Sequence, residues 1–222
     1  MEYVVRKATM PIGFCWKWDD APWKEANIGE VASFRPESSD HRPRVLFKAV
    51  YDGNGIGVMF RVEDRYVKST VTSYNGMVCR DSCVEFFVRP KPDKGYFNFE
   101  TNCGGALLCS YIEDPTRTRD GFRKFTRLPP EDGGRVKVYH SMPSSVPEEI
   151  SEPVTWFNGI FIPFDMLEKY VGPLGDVSGR RWTANFYKCA DGTSHPHWAS
   201  WSPVSALNFH LPSCFGDIIF EK

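Results

Sequence analysis

Apolar and polar positions alternate with a period of two along much of the chain, and they seldom recur at the three-to-four spacing of an amphipathic helix. The pattern therefore predicts strands. Two runs, Arg44 to Tyr51 and Ile56 to Val62, are joined through Asp52-Gly53-Asn54-Gly55, whose Asp-Gly and Asn-Gly pairs are hairpin-turn dipeptides. Further strands are expected over Asp81 to Val88, Tyr96 to Glu100, Ala106 to Ile112, Val136 to Ser141, Val154 to Ile162 and Trp182 to Lys188, with a closing strand after Phe215-Gly216. Residues 1–40 hold Trp16, Trp18 and Trp23 among Pro and Gly without a sustained period, and read as an edge strand and covering loops. Glu113 to Arg135 is charged and broken by Pro115, Pro129, Pro130 and Gly133-Gly134, the marks of an elaborated loop rather than of a linker between two cores. Helix-start signals appear once, at Pro163 to Glu168, where Asp165 and Glu168 have capping-box spacing. About ten strands, one short helix and no helical crossovers predict an all-β fold, an antiparallel β-sandwich. At 222 residues one core suffices, so a single domain over 1–222 is expected.

Charge narrows the partners. The 27 basic and 28 acidic residues nearly cancel and are scattered, which argues against a nucleic-acid or anionic-membrane surface. No apolar run is long enough to span a bilayer, and Met1 to Lys7 has no apolar leader core. A soluble chain is expected, cytoplasmic, or periplasmic or extracellular if a leader has been removed. The cysteines number seven and lie mostly in strand-like runs, as buried free thiols do, which favours a reducing compartment. Cys79 and Cys83, with three residues between them, are a poor zinc or redox pair by spacing.

Parity then singles out a polar face. If Val84, Phe86 and Val88 point to one core, Cys83, Glu85 and Phe87 point to the other side of the same strand. In the next strand Tyr96, Asn98 and Glu100 alternate with Phe97 and Phe99, so two neighbouring strands would present Glu85, Asn98 and Glu100 together. Carboxylates between large aromatics need a function or a partner, and Arg61, Arg89 and Lys188 are the candidate partners. Thr183 to Phe215 adds a dense set of aromatics. There Asn185 and Tyr187 alternate with buried positions, and Trp198 and Trp201 straddle Ser200 before the Ser202-Pro203 turn. Flat rings beside amides and hydroxyls suit a sugar, although one of the two tryptophans is expected in the core.

Two other chemistries compete. Glu85 and Glu100 on adjacent strands could serve as the carboxylate pair of a glycoside hydrolase. Cys189, Asp191, His195 and His197 include a His-x-His pair able to hold a transition metal, against the alternative of hydrogen-bonding loop histidines. A serine-hydrolase elbow and a phosphate loop are both absent from the sequence.

The order of motifs resembles the family-9-like carbohydrate-binding modules. It runs Ala21-Pro22-Trp23, Asp81 to Phe87, Tyr96 to Glu100, Phe161 to Phe164, Asn185 to Cys189, Ser200 to Pro203 and a final Phe-Gly strand. The resemblance implies a sandwich related to the DOMON fold and non-catalytic sugar recognition in the service of polysaccharide-degrading enzymes. Carried onto this chain, it implies polar sugar contacts at Glu85, Asn98, Glu100 and Tyr187. The two tryptophans that clamp the sugar in such modules fall at Val78 and Phe209, so one wall of the clamp is aliphatic and the other a smaller ring. Trp198 is the candidate replacement; the alternative is a sandwich that has lost sugar binding with its clamp and acts as a protein-interaction module. No cofactor is required by the resemblance, and the metal it leaves room for is a structural calcium ion, although this chain has no calcium-loop spacing.

Overall fold

The computed structural model describes residues 1–13 and 15–222. Period-two alternation becomes sixteen strands among the described residues. The first nine are β1 (Glu2–Lys7), β2 (Gly29–Glu30), β3 (Ser33–Phe34), β4 (Arg44–Tyr51), β5 (Gly55–Asp64), β6 (Val67–Ser69), β7 (Cys83–Arg89), β8 (Tyr96–Asn102) and β9 (Leu107–Thr118). The rest are β10 (Gly121–Arg127), β11 (Lys137–His140), β12 (Val146–Ile150), β13 (Val154–Pro163), β14 (Arg181–Cys189), β15 (Trp198–Ser200) and β16 (Gly216–Phe220). One sheet runs β10-β9-β8-β7-β14-β16-β1, and the other runs β1-β4-β5-β13-β11. These are the two layers of the expected sandwich.

Between them lies the main core. Val84, Phe86 and Val88 of β7 and Phe97 and Phe99 of β8 meet Val45, Phe47, Val58 and Phe60 of β4 and β5. Phe186 of β14 stacks on Phe47 with centroids 3.7 Å apart and planes 16° apart, joining the layers at their centre. The hairpin at Asp52 to Gly55 forms as its dipeptides predict, with Asp52 Oδ1 accepting from the amides of Asn54 at 2.7 Å and Gly55 at 3.0 Å. Trp16 and Trp23 cover the outer face of the second sheet, and glycines make room for them. A Cβ at Gly159 would lie 2.4 Å from the Trp16 ring.

Four local expectations are corrected. The first strand is not an edge: β1 pairs in parallel with β16 through residues 2–5 and with β4 through residues 6–7, tying the two layers together within an otherwise antiparallel fold. Glu113 to Arg135 is not an open loop, because β9 and β10 continue through it as a long twisted hairpin closed at Arg119-Asp120. Part of the Pro-rich Met142 to Pro153 stretch pairs as β12 with β6. Helix α2 (Phe164–Val171) is present, but its N-cap is Pro163 and no side chain caps it, while Asp165 pairs with Arg135 at 2.5 Å and Glu168 Oε1 accepts from the Leu174 amide at 2.6 Å. A second, one-turn helix, α1, spans Pro130–Gly133. Among the described residues no helix is long and apolar enough to cross a membrane.

Candidate functional site

Strand register builds the site on the outer face of the first sheet. Glu85 of β7 lies directly opposite Glu100 of β8 on one side and Tyr187 of β14 on the other, while Phe87 lies opposite Asn98. Because neighbours on one face of a sheet share parity, these five and Cys189 all turn away from the inter-sheet core. They underlie a cavity of about 690 Å³. Glu85, Asn98, Glu100, Ser110 and Cys189 form its floor.

The floor is held by few bonds. Asn98 Oδ1 accepts from the Ser110 amide at 2.8 Å, which fixes its Nδ2 to donate to Glu100 Oε1 at 2.7 Å. Glu85 Oε1 accepts from the Cys189 thiol at 3.1 Å. No salt bridge among the described residues reaches either carboxylate. The expected cations are engaged elsewhere: Arg61 with Glu63 at 2.9 Å, Arg89 with the carbonyls of Lys94 and Pro92, and Lys188 with Asp64 at 3.5 Å. Lys188 is one residue past Tyr187, so it points into the core, where its Nζ also donates to His197 Nε2 at 2.8 Å. Burial pushes the Glu100 carboxyl up to about 7, against the lowering pull of the Asn98 hydrogen bond and Arg127. Burial, then the neighbouring Glu100 charge, holds Glu85 well above the usual carboxylate range.

Aromatic rings form the walls. Trp198 is oriented by its Nε1, which donates to Asp191 Oδ1 at 2.7 Å. Phe209 also lines the cavity and stacks on Tyr187 at 4.1 Å and 14°. Tyr187 itself is fully buried beneath it, its hydroxyl donating to the Phe209 carbonyl at 3.0 Å, so it supports the wall rather than facing the cavity. Val78 is likewise fully buried, in a cluster with Cys83, Leu108 and Cys189 packed under Trp198 and Phe209. Thus Glu85, Asn98, Glu100, Phe209 and Trp198 come together at one cavity, and Val78 and Tyr187 lie behind it.

The far wall comes from the β9–β10 hairpin and is absent from the sequence-derived set. Phe122 and Phe125 line the cavity with Arg117, Asp120 and Arg127, and the Arg117 guanidinium lies 4.3 Å from the Phe122 ring centre. His210 packs 4.4 Å from Phe122, and its Nδ1 accepts from the Tyr96 hydroxyl at 2.9 Å. Burial, then Arg117, pushes the His210 imidazole down to about 3, so it is neutral. A signal for this wall was present: Asp120-Gly121 is a hairpin-turn dipeptide, and Gly121 takes a φ of +130° there.

The His-x-His pair does not converge. His195 stacks on Tyr66 at 3.6 Å, whereas His197 is buried against Lys188, its Nδ1 donating to the His195 carbonyl at 2.9 Å. Asp191 is committed to Trp198 and the Cys189 thiol to Glu85, so the four residues form no common ligand set. Among the described residues one group of three metal-capable side chains is clustered, Cys83, Glu85 and Cys189. Two thiols and one carboxylate do not suit calcium, which takes six to eight oxygen ligands.

Comparisons with known proteins agree with this architecture. A comparison with the curated proteins finds no match. Among solved structures, a proposed carbohydrate-binding protein from Bacteroides uniformis superposes with a TM-score of 0.84 at 28% identity over 99% of both chains. A family 9 carbohydrate-binding module from Caldicellulosiruptor kristjanssonii in complex with glucose gives 0.64 at 13% identity, covering 100% of this chain and 96% of that one. The cellotriose complex gives 0.65 at 14%, covering 100% and 94%. At that identity the likeness is one of fold. The sequence model of carbohydrate-binding family 9 matches residues 23–220, nearly the whole chain, and the chain therefore belongs to carbohydrate-binding family 9.

Proposed function

We propose that the cavity binds carbohydrate without transforming it, and that the protein thereby holds a glycan for an associated polysaccharide-degrading enzyme. The observation that carries this reading is the union of a hydrogen-bonding floor with aromatic walls in one cavity of ligand size, about 690 Å³. Glu85, Asn98 and Glu100 offer acceptors and an amide to sugar hydroxyls. Trp198 and Phe209 on one side, and Phe122 and Phe125 on the other, offer apolar faces to sugar C–H surfaces. Trp198, packed over the Val78 cluster, is the ring nearest the position where such modules carry a tryptophan, and the hairpin adds a second aromatic wall opposite it. Glucose and cellotriose, the ligands of the Caldicellulosiruptor kristjanssonii complexes, are the first sugars to test.

Hydrolysis is the less favoured reading on geometric grounds. Glycosidase carboxylates flank the scissile bond from opposite sides. Glu85 and Glu100 are cross-strand neighbours, with Cβ atoms expected about 5 Å apart, and stand side by side on one floor.

Calorimetric titration with glucose, cellotriose and a wider panel of mono- and oligosaccharides tests the proposal. Saturable binding that Trp198→Ala weakens while the thermal melt is kept supports it. Failure of every sugar in the panel to bind overturns it. Release of reducing sugar that stops in Glu85→Gln would replace binding with hydrolysis.

A further inference from the structure

The floor of the cavity contains a second constellation, which shares Glu85 with the proposed sugar site and adds two thiols that sugar recognition leaves unused. Cys83 and Cys189 are paired across β7 and β14, and Glu85 follows Cys83 by two residues, so all three project from the same face. Their ligating atoms all lie within 4.8 Å of one another, and the three residues are buried, with Cys83 0% and Glu85 3% exposed. We propose that Cys83, Glu85 and Cys189 form a site for a single thiophilic cation of the zinc class, reached from the cavity.

Three observations support it. Glu85 is a nearly buried carboxylate on the cavity floor whose hydrogen-bond partner is one thiol, a weak donor, leaving most of its acceptor capacity unused. Buried carboxylates without a cation are costly, and here the nearest ammonium, Lys188, is spent on Asp64 and His197 in the core. Size fits as well. Zinc–sulfur and zinc–oxygen bonds of about 2.3 and 2.1 Å in a tetrahedron set ligand atoms about 3.6–3.8 Å apart. Cys189 Sγ lies 3.1 Å from Glu85 Oε1, and all three ligand atoms lie within 4.8 Å of one another, a spread compatible with that spacing. Binding of Zn²⁺ displaces the protons of both thiols and of the Glu85 carboxyl and leaves one net negative charge on the site. Glu85 and Cys189 line the cavity, so the fourth coordination position faces it and is open to water or to a ligand hydroxyl.

The test uses the reduced protein and metal alone, without sugar, so its outcome is separate from that of the sugar titrations. Zn²⁺ titration is expected to give one equivalent per chain. Co²⁺ is expected to give the visible bands of a tetrahedral site with a near-ultraviolet thiolate charge-transfer band. Cys83→Ser and Cys189→Ser should each lower the affinity at least tenfold and weaken that band, while Cys214→Ser and His195→Ala should leave both unchanged. Absence of a thiolate band in the wild-type protein overturns the proposal whether or not the variants fold. So does binding that survives in both cysteine variants, or binding lost in His195→Ala.

Discussion

Replacing Glu100 by Gln should stabilise the fold at and above neutral pH. Burial raises the Glu100 carboxyl from 4.5 to about 7, so the folded chain holds this proton more tightly than the unfolded chain does. Stability from such a group is fully present below about 4.5 and is lost as pH rises through about 7. The interval between the two values corresponds to about 3 kcal/mol. Gln keeps the shape and retains a carbonyl oxygen to accept from Asn98 Nδ2, now at 2.7 Å, but it cannot ionise. For a chain of this length 1 kcal/mol moves the melting temperature by about 2–4 °C, so the Glu100→Gln advantage should grow by about 6–12 °C between pH 4.5 and pH 8. Differential scanning calorimetry of both proteins with a chelator present reads the difference directly, and titrations common to the two cancel. A Tm difference that stays flat across that range would refute the assignment of a buried, strained carboxyl at this position. The reasoning carries a functional corollary: a site that keeps carboxyls ready for a ligand does so at the expense of the fold.

Three further outcomes follow from named contacts. A sugar hydroxyl donating to Glu100 favours its ionised form, so sugar binding near pH 7 should release a fraction of a proton, seen as a dependence of calorimetric enthalpy on buffer ionisation heat; no dependence would place the ligand away from Glu100. Phe125→Ala and Trp198→Ala should each weaken binding about tenfold, on the order of 1.4 kcal/mol, because each removes one ring from a wall. Asp64→Asn should cost about 3–5 kcal/mol in urea denaturation at pH 7, since it strands the Lys188 ammonium in a site where both side chains are 0% exposed. Burial opposes the charge on Asp64, but Lys188 and the His41 hydrogen bond outweigh it and hold the carboxyl well below the usual range. The stability it contributes is therefore present above about 3.8 and lost as pH falls, and the Asn variant should lack that acid-side loss.

Parity explains what could be read from the sequence. Val84, Phe86 and Val88 alternate against Cys83, Glu85 and Phe87, and the structure puts the first set in the inter-sheet core and the second on the site side. The same parity places Lys188 opposite Val84 in register, hence in the core, which removes it as a partner for Glu85. Tyr187 has the right parity and still fails to reach the cavity, because Phe209 lies over it. Covering of that kind depends on where a later loop returns, which the strand pattern does not encode. The parallel pairing of β1 with both β16 and β4 was hidden for a related reason, since Tyr3 and Val5 alternate alike in a parallel or an antiparallel neighbour.

Floor and walls answer to different constraints. Floor residues are tied to register: shifting β7 by one position against β8 would turn Glu85 into the core and Val84 out of it. Walls are tied only to reach. A ring can be delivered by Trp198 from β15, by Phe209 from the loop before β16, or by Phe122 and Phe125 from the hairpin, so an aliphatic residue at Val78 leaves the cavity aromatic on both sides. A chain can therefore keep a polar floor in register while its aromatic walls are supplied from different loops. Ligand preference should then follow the β9–β10 hairpin more closely than the floor. Exchanging Phe122 and Phe125 for Ser together should change the order of sugars preferred, whereas Glu100→Gln should weaken all of them alike. A Phe122/Phe125 variant whose ranking of sugars matches that of the wild type would show that the hairpin only shields the site.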